Sequence, residues 1–480
     1  MQWRHCFEYI MYCILLSMHL NIVAYEYQCI DSAFGTNGIV ITRLNKISGT
    51  LNRVIPSLSV KLQTDGKILL IGDSFTHNNM DKHDTIDCSI TLVRYNSDGT
   101  PDASFGADGI VVVPRVGNSQ CAIDCAVQSD GKILVAGRTY QRPEIAPDAT
   151  LIRLCSNGSL DQSFGINGMV IETNGVNQWS NFFKVMIQQD HKIVTAGCYG
   201  TDDPASDDIL NYCIYLVRYL SDGTIDTSFG VDGTVKTFVN VSDRPKSRAA
   251  SRAGDAAYGA TLQQDDTIIV VGPSLDCSVP YNLGPMHFDG LHCDGMIVRY
   301  TRDGILDSSF GGDSNGMVIT SANAACNFFV DTTITPDNLI IALGTVQNES
   351  TRLTEFLLAR YTVDGRLDVS FGQNGTGIVH TPIGLGNAFA KNILIADDGK
   401  LLVTGIAQWE TGTQFMVIRY LPDGSIDTSF GYNDSGILTV SIQNNAKSFS
   451  LALQDDEKLI IAGDSSDGGQ ANFTLTRFLK

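Results

Sequence analysis

The sequence predicts an all-β fold: a seven-bladed β-propeller of four-stranded antiparallel blades, closed by pairing of the N-terminal strand with the C-terminal blade. A turn-rich phrase recurs seven times along the 480 residues, and 46 glycines against 13 prolines are typical of tight turns between short strands. No Pro/Ser-rich linker or charge run divides the chain into separate units. Length and repetition together favour a closed ring of similar sheets.

Each repeat contains four short strands. In the first full copy an alternating run, SLSVKLQ (57–63), crosses an Asp-Gly turn into a second run, KILLIG (67–72), which predicts a β-hairpin. After a variable loop come a third strand, TLVRY (91–95), another Asp-Gly turn and a fourth strand, GIVVV (109–113). One sheet of this size cannot bury both of its faces, so the copies are expected to stack radially.

Two series of residues set the number of blades at seven. The repeated phenylalanines are Phe34, Phe105, Phe164, Phe229, Phe310, Phe371 and Phe430. The second-strand glycines are Gly72, Gly137, Gly197, Gly272, Gly344, Gly405 and Gly463. A lone fourth strand, GIVIT (38–42), precedes the first full copy, and a lone third strand, FTLTRF (473–478), ends the last one. Pairing of these two strands would close the ring and cover an open sheet edge.

The repeated phrase, DGTPDASFG at 98–106, is interpreted as a structural turn. Glycine tolerates positive φ, and the side chains of Asp102 and Ser104 can hydrogen-bond nearby backbone. Phe105 is then expected to be wedged between adjacent blades. The alternative is a calcium site made by Asp98, Asp102 and Asp108, whose spacing departs from the D-x-[DN]-x-[DN]-G pattern of calcium loops.

The pattern D-G-x-x-D-x-S-F-G-x-x-G, preceded by L-x-R-Y and followed by Q-x-D-G-K-I-L-x-x-G, resembles the delta-60 repeat family of exported bacterial proteins. The resemblance covers residues 29–480 and implies a β-propeller fold, but no particular reaction. Two copies depart from the pattern: LIRLCSNG (151–158) replaces the usual Arg-Tyr, and QDDTIIVVG (264–272) has no Gly-Lys.

The N-terminus differs from the rest of the chain. After Arg4 comes the mostly apolar run IMYCILLSMHLNIVA (10–24), which has the length of a signal-peptide core and is short for a membrane span. We therefore expect a signal peptide at 1–24 and a single propeller domain at 25–480, with a secreted, periplasmic or cell-surface location. An uncleaved anchor is the alternative, and no other stretch is apolar enough to span a bilayer.

Charge limits the classes of partner. The net charge is −19, and no Lys/Arg cluster forms a basic patch. Such a chain is expected to repel phosphate backbones and anionic membrane surfaces, so no nucleic-acid partner is predicted.

Loops that differ between copies are the expected place of function. The second-to-third and fourth-to-first connections vary, and strand alternation places them on one face of the disc. The fourth copy is the most elaborate, since 81 residues separate Phe229 from Phe310 against 59 between Phe105 and Phe164. Its loop carries the predicted binding residues Tyr281, Met286, His287, Phe288 and His292.

Catalytic signatures are missing: there is no G-x-S-x-G, H-E-x-x-H, Walker A or dinucleotide fingerprint, and no catalytic residue is assigned. Four histidines fall in two variable loops beside aspartates, an arrangement that could serve a zinc site or acid–base chemistry. They are His77, His83, His287 and His292, with Asp81, Asp84, Asp87 and Asp289. Solvated loop side chains are the simpler interpretation, so no cofactor is predicted and calcium or zinc remains the alternative.

Seven cysteines map to the variable loops or their flanks: Cys88, Cys121, Cys198, Cys213, Cys277, Cys293 and Cys326. In an exported protein they predict disulfides that staple long loops. Cys198–Cys213 is the first expected pair and Cys277–Cys293 the second, whereas buried free thiols are the alternative.

Two functions of different classes follow from this distribution. The favoured hypothesis is a non-catalytic binding platform for a protein or glycan partner. The alternative is a hydrolase or lyase with Asp and His residues near the central channel.

Overall fold

The computed structural model describes residues 29–44, 58–76, 87–141, 147–173, 175, 178–202, 210–239, 255–274, 293–312, 315–322, 326–372, 375–409, 412–432, 434–467 and 471–479. These residues form a ring of seven antiparallel sheets, which confirms the predicted seven-bladed propeller. The part of the chain that the structure describes contains no helix with the length and hydropathy needed to span a bilayer. The predicted signal peptide, 1–24, lies outside the described residues and stays a prediction.

Each blade is a meander of four strands in which the first lies innermost and the fourth outermost. Strand β1 (Ile39–Thr42) precedes the first full blade. Blade one contains β2 (Ser59–Leu62), β3 (Ile68–Thr76), β4 (Asp87–Tyr95) and β5 (Ile110–Val112), and blade two contains β6 (Ser119–Val127), β7 (Ile133–Tyr140), β8 (Asp148–Leu154) and β9 (Met169–Ile171). Blade three contains β10 (Gln178–Ile187), β11 (Ile193–Asp202), β12 (Leu210–Tyr219) and β13 (Thr234–Thr237). Blade four contains β14 (Gly259–Leu262), β15 (Ile268–Ser274), β16 (Asp294–Tyr300) and β17 (Met317–Thr320).

The remaining blades follow the same order, with one short additional strand in blade six that pairs with β23. Blade five contains β18 (Asn327–Ile334), β19 (Ile340–Gln347), β20 (Thr354–Tyr361) and β21 (Ile378–Thr381). Blade six contains β22 (Ala388–Ile395), β23 (Leu401–Trp409), β24 (Gly412–Thr413), β25 (Phe415–Tyr420) and β26 (Ile437–Val440). Blade seven contains β27 (Asn445–Leu453), β28 (Leu459–Ser466) and β29 (Ala471–Phe478).

The hydrophobic core lies between blades. One cluster joins Leu151 and Phe164 of blade two to Phe182, Val217 and Tyr219 of blade three, and all five side chains are buried. Because a four-stranded sheet buries little surface within itself, each blade depends on its two neighbours for burial of its faces.

The second-strand glycines permit close contact between the two inner strands. A Cβ atom on Gly137 would lie 2.0 Å from the carbonyl oxygen of Cys121, and one on Gly197 would lie 1.8 Å from that of Asn181. In both blades the inner strand has a β-bulge next to this contact. A larger residue would push the inner strand away, which explains why glycine recurs there.

The ring closes through the two strands that lack a blade of their own. β1 pairs with β29 in antiparallel register, from Ile39 opposite Thr476 to Thr42 opposite Phe473. A buried ion pair adds to the pairing, since Arg477 Nη2 lies 2.8 Å from Asp31 Oδ2. The predicted closure is therefore confirmed.

Deleting residues 31–42 is expected to lower the free energy of unfolding and to destabilise blade seven in particular. The deletion removes the outer strand and exposes the edge of β29. Hydrogen exchange would show this as lost protection in β28 and β29. The matched control is R43A, because Arg43 is exposed and makes only a 3.9 Å surface ion pair with Asp467. Equal stability of the deletion variant and R43A would contradict ring closure.

Candidate functional site

The first-to-second strand turn and the repeated phrase lie on the same face of the disc, here called the uniform face. In blade one, Lys67 in the first turn lies 3.5 Å from Asp102 Oδ2 in the phrase. The opposite face, which carries the second-to-third strand connections, is called the variable face.

On the uniform face, one arginine per blade joins three groups. In blade one Arg94 Nε donates to Asp102 Oδ2 at 2.7 Å, and the guanidinium carbon lies 4.4 Å from the ring centre of Phe105. Arg94 Nη1 donates to the carbonyl oxygen of Ser156 in blade two, at 2.5 Å. This bond crosses the contact between two neighbouring blades, here called the seam. The side chain of Arg94 is 6% exposed, so this cation is satisfied almost entirely by protein groups.

The Arg–Asp pair and the Arg–Phe contact recur in all seven blades. The Arg–Asp pairs are Arg94–Asp102, Arg153–Asp161, Arg218–Asp226, Arg299–Asp307, Arg360–Asp368, Arg419–Asp427 and Arg477–Asp31. The seven guanidinium groups lie over Phe105, Phe164, Phe229, Phe310, Phe371, Phe430 and Phe34, respectively. The repeated phrase therefore helps to hold neighbouring blades together, and its Arg–Asp–Phe group is called the fastener below.

The phenylalanines lie between blades, as expected from the sequence. Phe229 is fully buried, and a Cβ atom added to Gly304 in the next blade would lie 2.7 Å from its ring. The backbone N–H of Gly230 also donates to the carbonyl oxygen of Asp303 in that blade, at 2.9 Å. The Asp-Gly turn of one blade thus forms the wall against which the preceding phenylalanine packs.

The carboxylates of the phrase are occupied by protein donors. Asp102 Oδ1 accepts from the backbone N–H of Ser104 at 3.0 Å and from its hydroxyl at 2.7 Å, while Arg94 donates to Oδ2. Asp98 accepts in the same way from Thr100. Among the described residues, Asp98, Asp102 and Asp108 are not a group whose oxygens approach one another closely enough to share an ion. This geometry fits the structural-turn interpretation.

These contacts also shift the titration of Asp102. Burial acts to raise the pKa of its carboxyl, but the hydrogen bonds from Ser104 and the guanidinium of Arg94 outweigh burial and lower the pKa to about 2. The carboxylate is therefore ionised throughout the physiological range and acts as a fixed anion.

At the axis, one position of each inner strand forms what we call the axial ring. Each member lies opposite the residue that precedes the second-strand glycine of its blade, in the pairing of the first two strands. The members are Ser59, Asp124, Lys184, Gly259, Asp331, Asn392 and Ser450. Asp331 Oδ2 accepts from the N–H of Ile393, and Asn392 Oδ1 accepts from the N–H of Leu451. The ring thus links neighbouring inner strands by side-chain to backbone hydrogen bonds.

The charges of the axial ring and of the nearby Lys61 compensate one another. Lys184 Nζ of blade three lies 2.8 Å from Asp331 Oδ1 of blade five, and so reaches past Gly259 of blade four. Lys61 lies 3.6 Å from Asp124, and the negative charge of Asp124 is the main cause that raises the pKa of Lys61. Two lysines and two aspartates therefore meet at the axis in a charge-balanced group.

A second pair of lysines lies on the inner strands of blades six and seven. Burial and, to a smaller extent, the charge of Lys447 together lower the pKa of Lys391 to about 7. The Lys391 ammonium lies 5.8 Å from the ring centre of Phe449. Lys447 lies opposite Asp464 in the antiparallel pairing of β27 with β28. Burial raises the pKa of Asp464 to about 6, against the opposing effect of Lys447. The side chains of Lys391 and Asp464 therefore titrate near neutrality.

The residues predicted to bind a partner, Tyr281, Met286, His287, Phe288 and His292, all lie outside the described residues. The same holds for His77 and His83 and for Asp81, Asp84 and Asp289. The structure does not bring these residues together or separate them, so their role stays a prediction.

The two predicted disulfides need correction. Cys293 is bonded to Cys326 of the next blade, and so is not available to Cys277, which lies outside the described residues. Cys198 and Cys213 are free thiols. In the pairing of β11 with β12, Cys198 lies opposite Ile214, so Cys213 faces the other side of the sheet and the bridge is wrong.

Three side chains that were not among the predicted site residues meet where blades one and two pack together. A carboxylate oxygen of Asp73 and the sulfurs of Cys88 and Cys121 all lie within 4.8 Å of one another, and all three residues are buried. Spacing along the chain gives no sign of this group. The sequence sign that could have indicated this group is the position of its residues in the repeat. Asp73 directly follows the second-strand glycine, and Cys88 lies on the third strand, ahead of its Arg-Tyr pair.

Comparison with known proteins supports a propeller family. Four segments of the chain, 89–105, 128–164, 188–229 and 396–430, match the family described as "Domain of unknown function (DUF5122) beta-propeller". The delta-60 repeat name rests on the sequence resemblance alone. A comparison with curated proteins gives no match.

Several solved structures are similar in fold. An ulvan lyase of polysaccharide lyase family PL25, bound to -[GlcA(1-4)Rha3S]-, is 11% identical with a TM-score of 0.47, covering 90% of this chain and 95% of its own. The polysaccharide lyase Uly1 is 10% identical with a TM-score of 0.43, covering 88% and 89%. The propeller domain of the Trilobed protease from Pyrococcus furiosus is 9% identical with a TM-score of 0.39, covering 89% and 94%. Similarity at this level carries no argument about activity.

Replacing Phe229 by alanine is expected to cost about 3–5 kcal/mol of unfolding free energy, because a fully buried ring is removed from a seam. Urea unfolding measures the loss. The matched control is F238A, since Phe238 is 56% exposed and should change stability by less than about 1 kcal/mol. Similar losses in the two variants would mean that Phe229 does not hold the seam.

Stability is expected to fall in acid as Asp102 and its equivalents protonate. A carboxyl whose folded pKa is lowered contributes stability above its unfolded pKa of about 4, and this contribution is lost as the pH falls towards 2. D102N should therefore cost about 2 kcal/mol at pH 6 and much less at pH 2. Urea unfolding of wild type and variant across this range measures the difference. A difference independent of pH would contradict the role of the Asp102 charge.

Proposed function

We propose that this chain is an exported β-propeller that acts as a non-catalytic binding platform for a protein or glycan partner through its variable face. The observation that carries the proposal is the contrast between the two faces. On the uniform face the repeated Arg and Asp side chains are used to hold neighbouring blades together.

Connections on the variable face differ strongly between blades. The segment between β3 and β4 covers 77–86, and that between β15 and β16 covers 275–293. By contrast, β28 and β29 are separated by 467–470 alone. A rigid scaffold that presents loops of unequal length is the usual arrangement of a recognition surface.

The central axis favours binding over hydrolysis. Asp124 accepts a hydrogen bond from the N–H of Val185, and Asp331 accepts one from Ile393 and lies in an ion pair with Lys184. Carboxylates whose oxygens are occupied in this way connect neighbouring strands and are poorly placed to act as a catalytic acid and base. The hydrolase or lyase alternative would depend on the variable loops.

The net charge of the chain restricts the chemical class of the partner. The chain carries 52 Asp and Glu against 33 Lys and Arg, a net charge of −19. Long-range repulsion disfavours polyanionic glycans and acidic proteins. The platform is therefore expected to prefer a neutral glycan or a protein with a basic surface.

The test replaces 275–292 by a Gly-Asn linker and measures binding to immobilised neutral and uronate polysaccharides and to a basic protein, lysozyme. The wild type is expected to bind a neutral glycan or the basic protein without releasing reducing ends or unsaturated products. The loop variant should bind at least about 10-fold more weakly, since a recognition loop carries most of the binding energy.

Matched controls lie on the uniform face: I166N and V231N, whose side chains are 81% and 74% exposed. Both should bind as the wild type does. Binding lost in these controls but kept in the loop variant would show that the face has been assigned incorrectly. Turnover of a bound glycan would overturn the non-catalytic proposal in favour of the enzyme alternative.

A further inference from the structure

The seam between blades one and two contains a group of three buried potential ligands. Asp73 lies on β3 and Cys88 on β4 of blade one, whereas Cys121 lies on β6, the inner strand of blade two. The exposed fractions of the three residues are 1%, 0% and 7%. The ligand atoms lie within 4.8 Å of one another, so three elements converge on one small volume.

One oxygen of this group lacks a partner. Asp73 Oδ1 accepts from the backbone N–H of Ala122 at 2.8 Å, but Oδ2 is buried and has no hydrogen-bond partner among the residues that the structure describes. A buried carboxylate oxygen without a partner is costly, and a bound ion or water is one arrangement that would satisfy it. The groups that share its surroundings are the sulfurs of Cys88 and Cys121.

We propose that Asp73, Cys88 and Cys121 bind a thiophilic divalent cation, with Zn²⁺ as the expected ion. Two thiolates and a carboxylate are ligands that zinc accepts, and a fourth tetrahedral position remains for water. With zinc–sulfur bonds of about 2.3 Å, tetrahedral sulfurs lie about 3.8 Å apart, so the group needs to contract by only a fraction of an ångström per side chain.

The surrounding charge is compatible with a bound cation. The positive guanidinium of Arg138 on β7 acts electrostatically on both cysteine sulfurs. With the site filled, two thiolates and one carboxylate carry three negative charges. The divalent cation and Arg138 carry three positive charges, so the buried group is neutral overall.

A disulfide explains the site less well. At the seam of blades four and five, Cys293 bonds Cys326, and Cys293 lies seven residues before Tyr300, as Cys88 does before Tyr95. At that seam Pro273 occupies the position of Asp73 after the second-strand glycine. A Cys88–Cys121 disulfide would leave Asp73 Oδ2 buried without a partner, whereas a cation satisfies all three groups.

The cation would connect two blades close to the variable face, since β3 and β4 lead into the 77–86 connection. Its expected role is structural, because the three ligands are buried and come from two blades. This inference does not depend on the binding-platform proposal, and its test does not use a glycan or a protein partner.

The test measures zinc bound to the purified full chain by elemental analysis and by competition with a chromophoric chelator. A single zinc ion per chain is expected, and Co²⁺ substitution should give thiolate charge-transfer absorption with the visible bands of tetrahedral cobalt. C88S, C121S and D73N should each weaken zinc binding by about 10- to 100-fold or more. The matched control is C198S, because Cys198 is a buried thiol of blade three that belongs to no such group among the described residues. This variant should bind zinc as the wild type does.

Two results would overturn the inference. One is zinc binding that is absent from the wild type, or present and unchanged in all three ligand variants. The other is a Cys88–Cys121 linked peptide in non-reducing mass spectrometry of the protein as purified, which would assign the pair to a disulfide. Circular dichroism of each variant separates loss of the site from loss of the fold, and Cd²⁺ binding to folded D73N tests the two thiols alone.

Discussion

The guanidinium group at each seam is the interaction on which the ring depends. In one blade Arg218 holds Asp226, lies over Phe229 and donates to the carbonyl oxygen of Arg302 in the next blade, at 2.7 Å. A single cation therefore fixes a strand, its own turn, an aromatic wedge and a neighbouring blade. Arginine suits this role because its planar group combines several directed donors with a stacking surface, which lysine does not offer. The blades differ widely in their loops, yet they share this fastener.

Lysine adds a weaker contact to the same carboxylates. Lys192 lies 3.1 Å from Asp226, and the corresponding turns of blades one, two, six and seven place a lysine in the same way. Blade four has Thr267 and blade five has Leu339 at this position. These lysines are partly exposed, so their contribution is smaller and dispensable. This difference explains why the Arg-Asp-Phe group recurs in every blade while the Gly-Lys turn does not.

The fold could be predicted from the sequence because its determinants are local and repeated. The phenylalanines, the second-strand glycines and the unpaired strands at 38–42 and 473–478 each follow from short patterns. The axial ring could not be predicted, because the contact between Lys184 and Asp331 depends on the size of Gly259 in the blade between them. The Cys293–Cys326 bridge was missed for a similar reason: it crosses a seam, whereas spacing along the chain favoured pairs within one loop.

Ring closure also has a consequence for the order of folding. β1 is made before any blade, but its partner β29 is made after all the others, and Thr476 of that strand donates to the carbonyl oxygen of Gly38, 438 residues away in sequence. During synthesis the first strand must therefore remain unpaired while six blades assemble beside it. Contacts of such long range form slowly, so the edge of blade seven is the last to be protected. The interval before closure is the period in which another unfinished chain could supply the missing strand and yield an exchanged dimer.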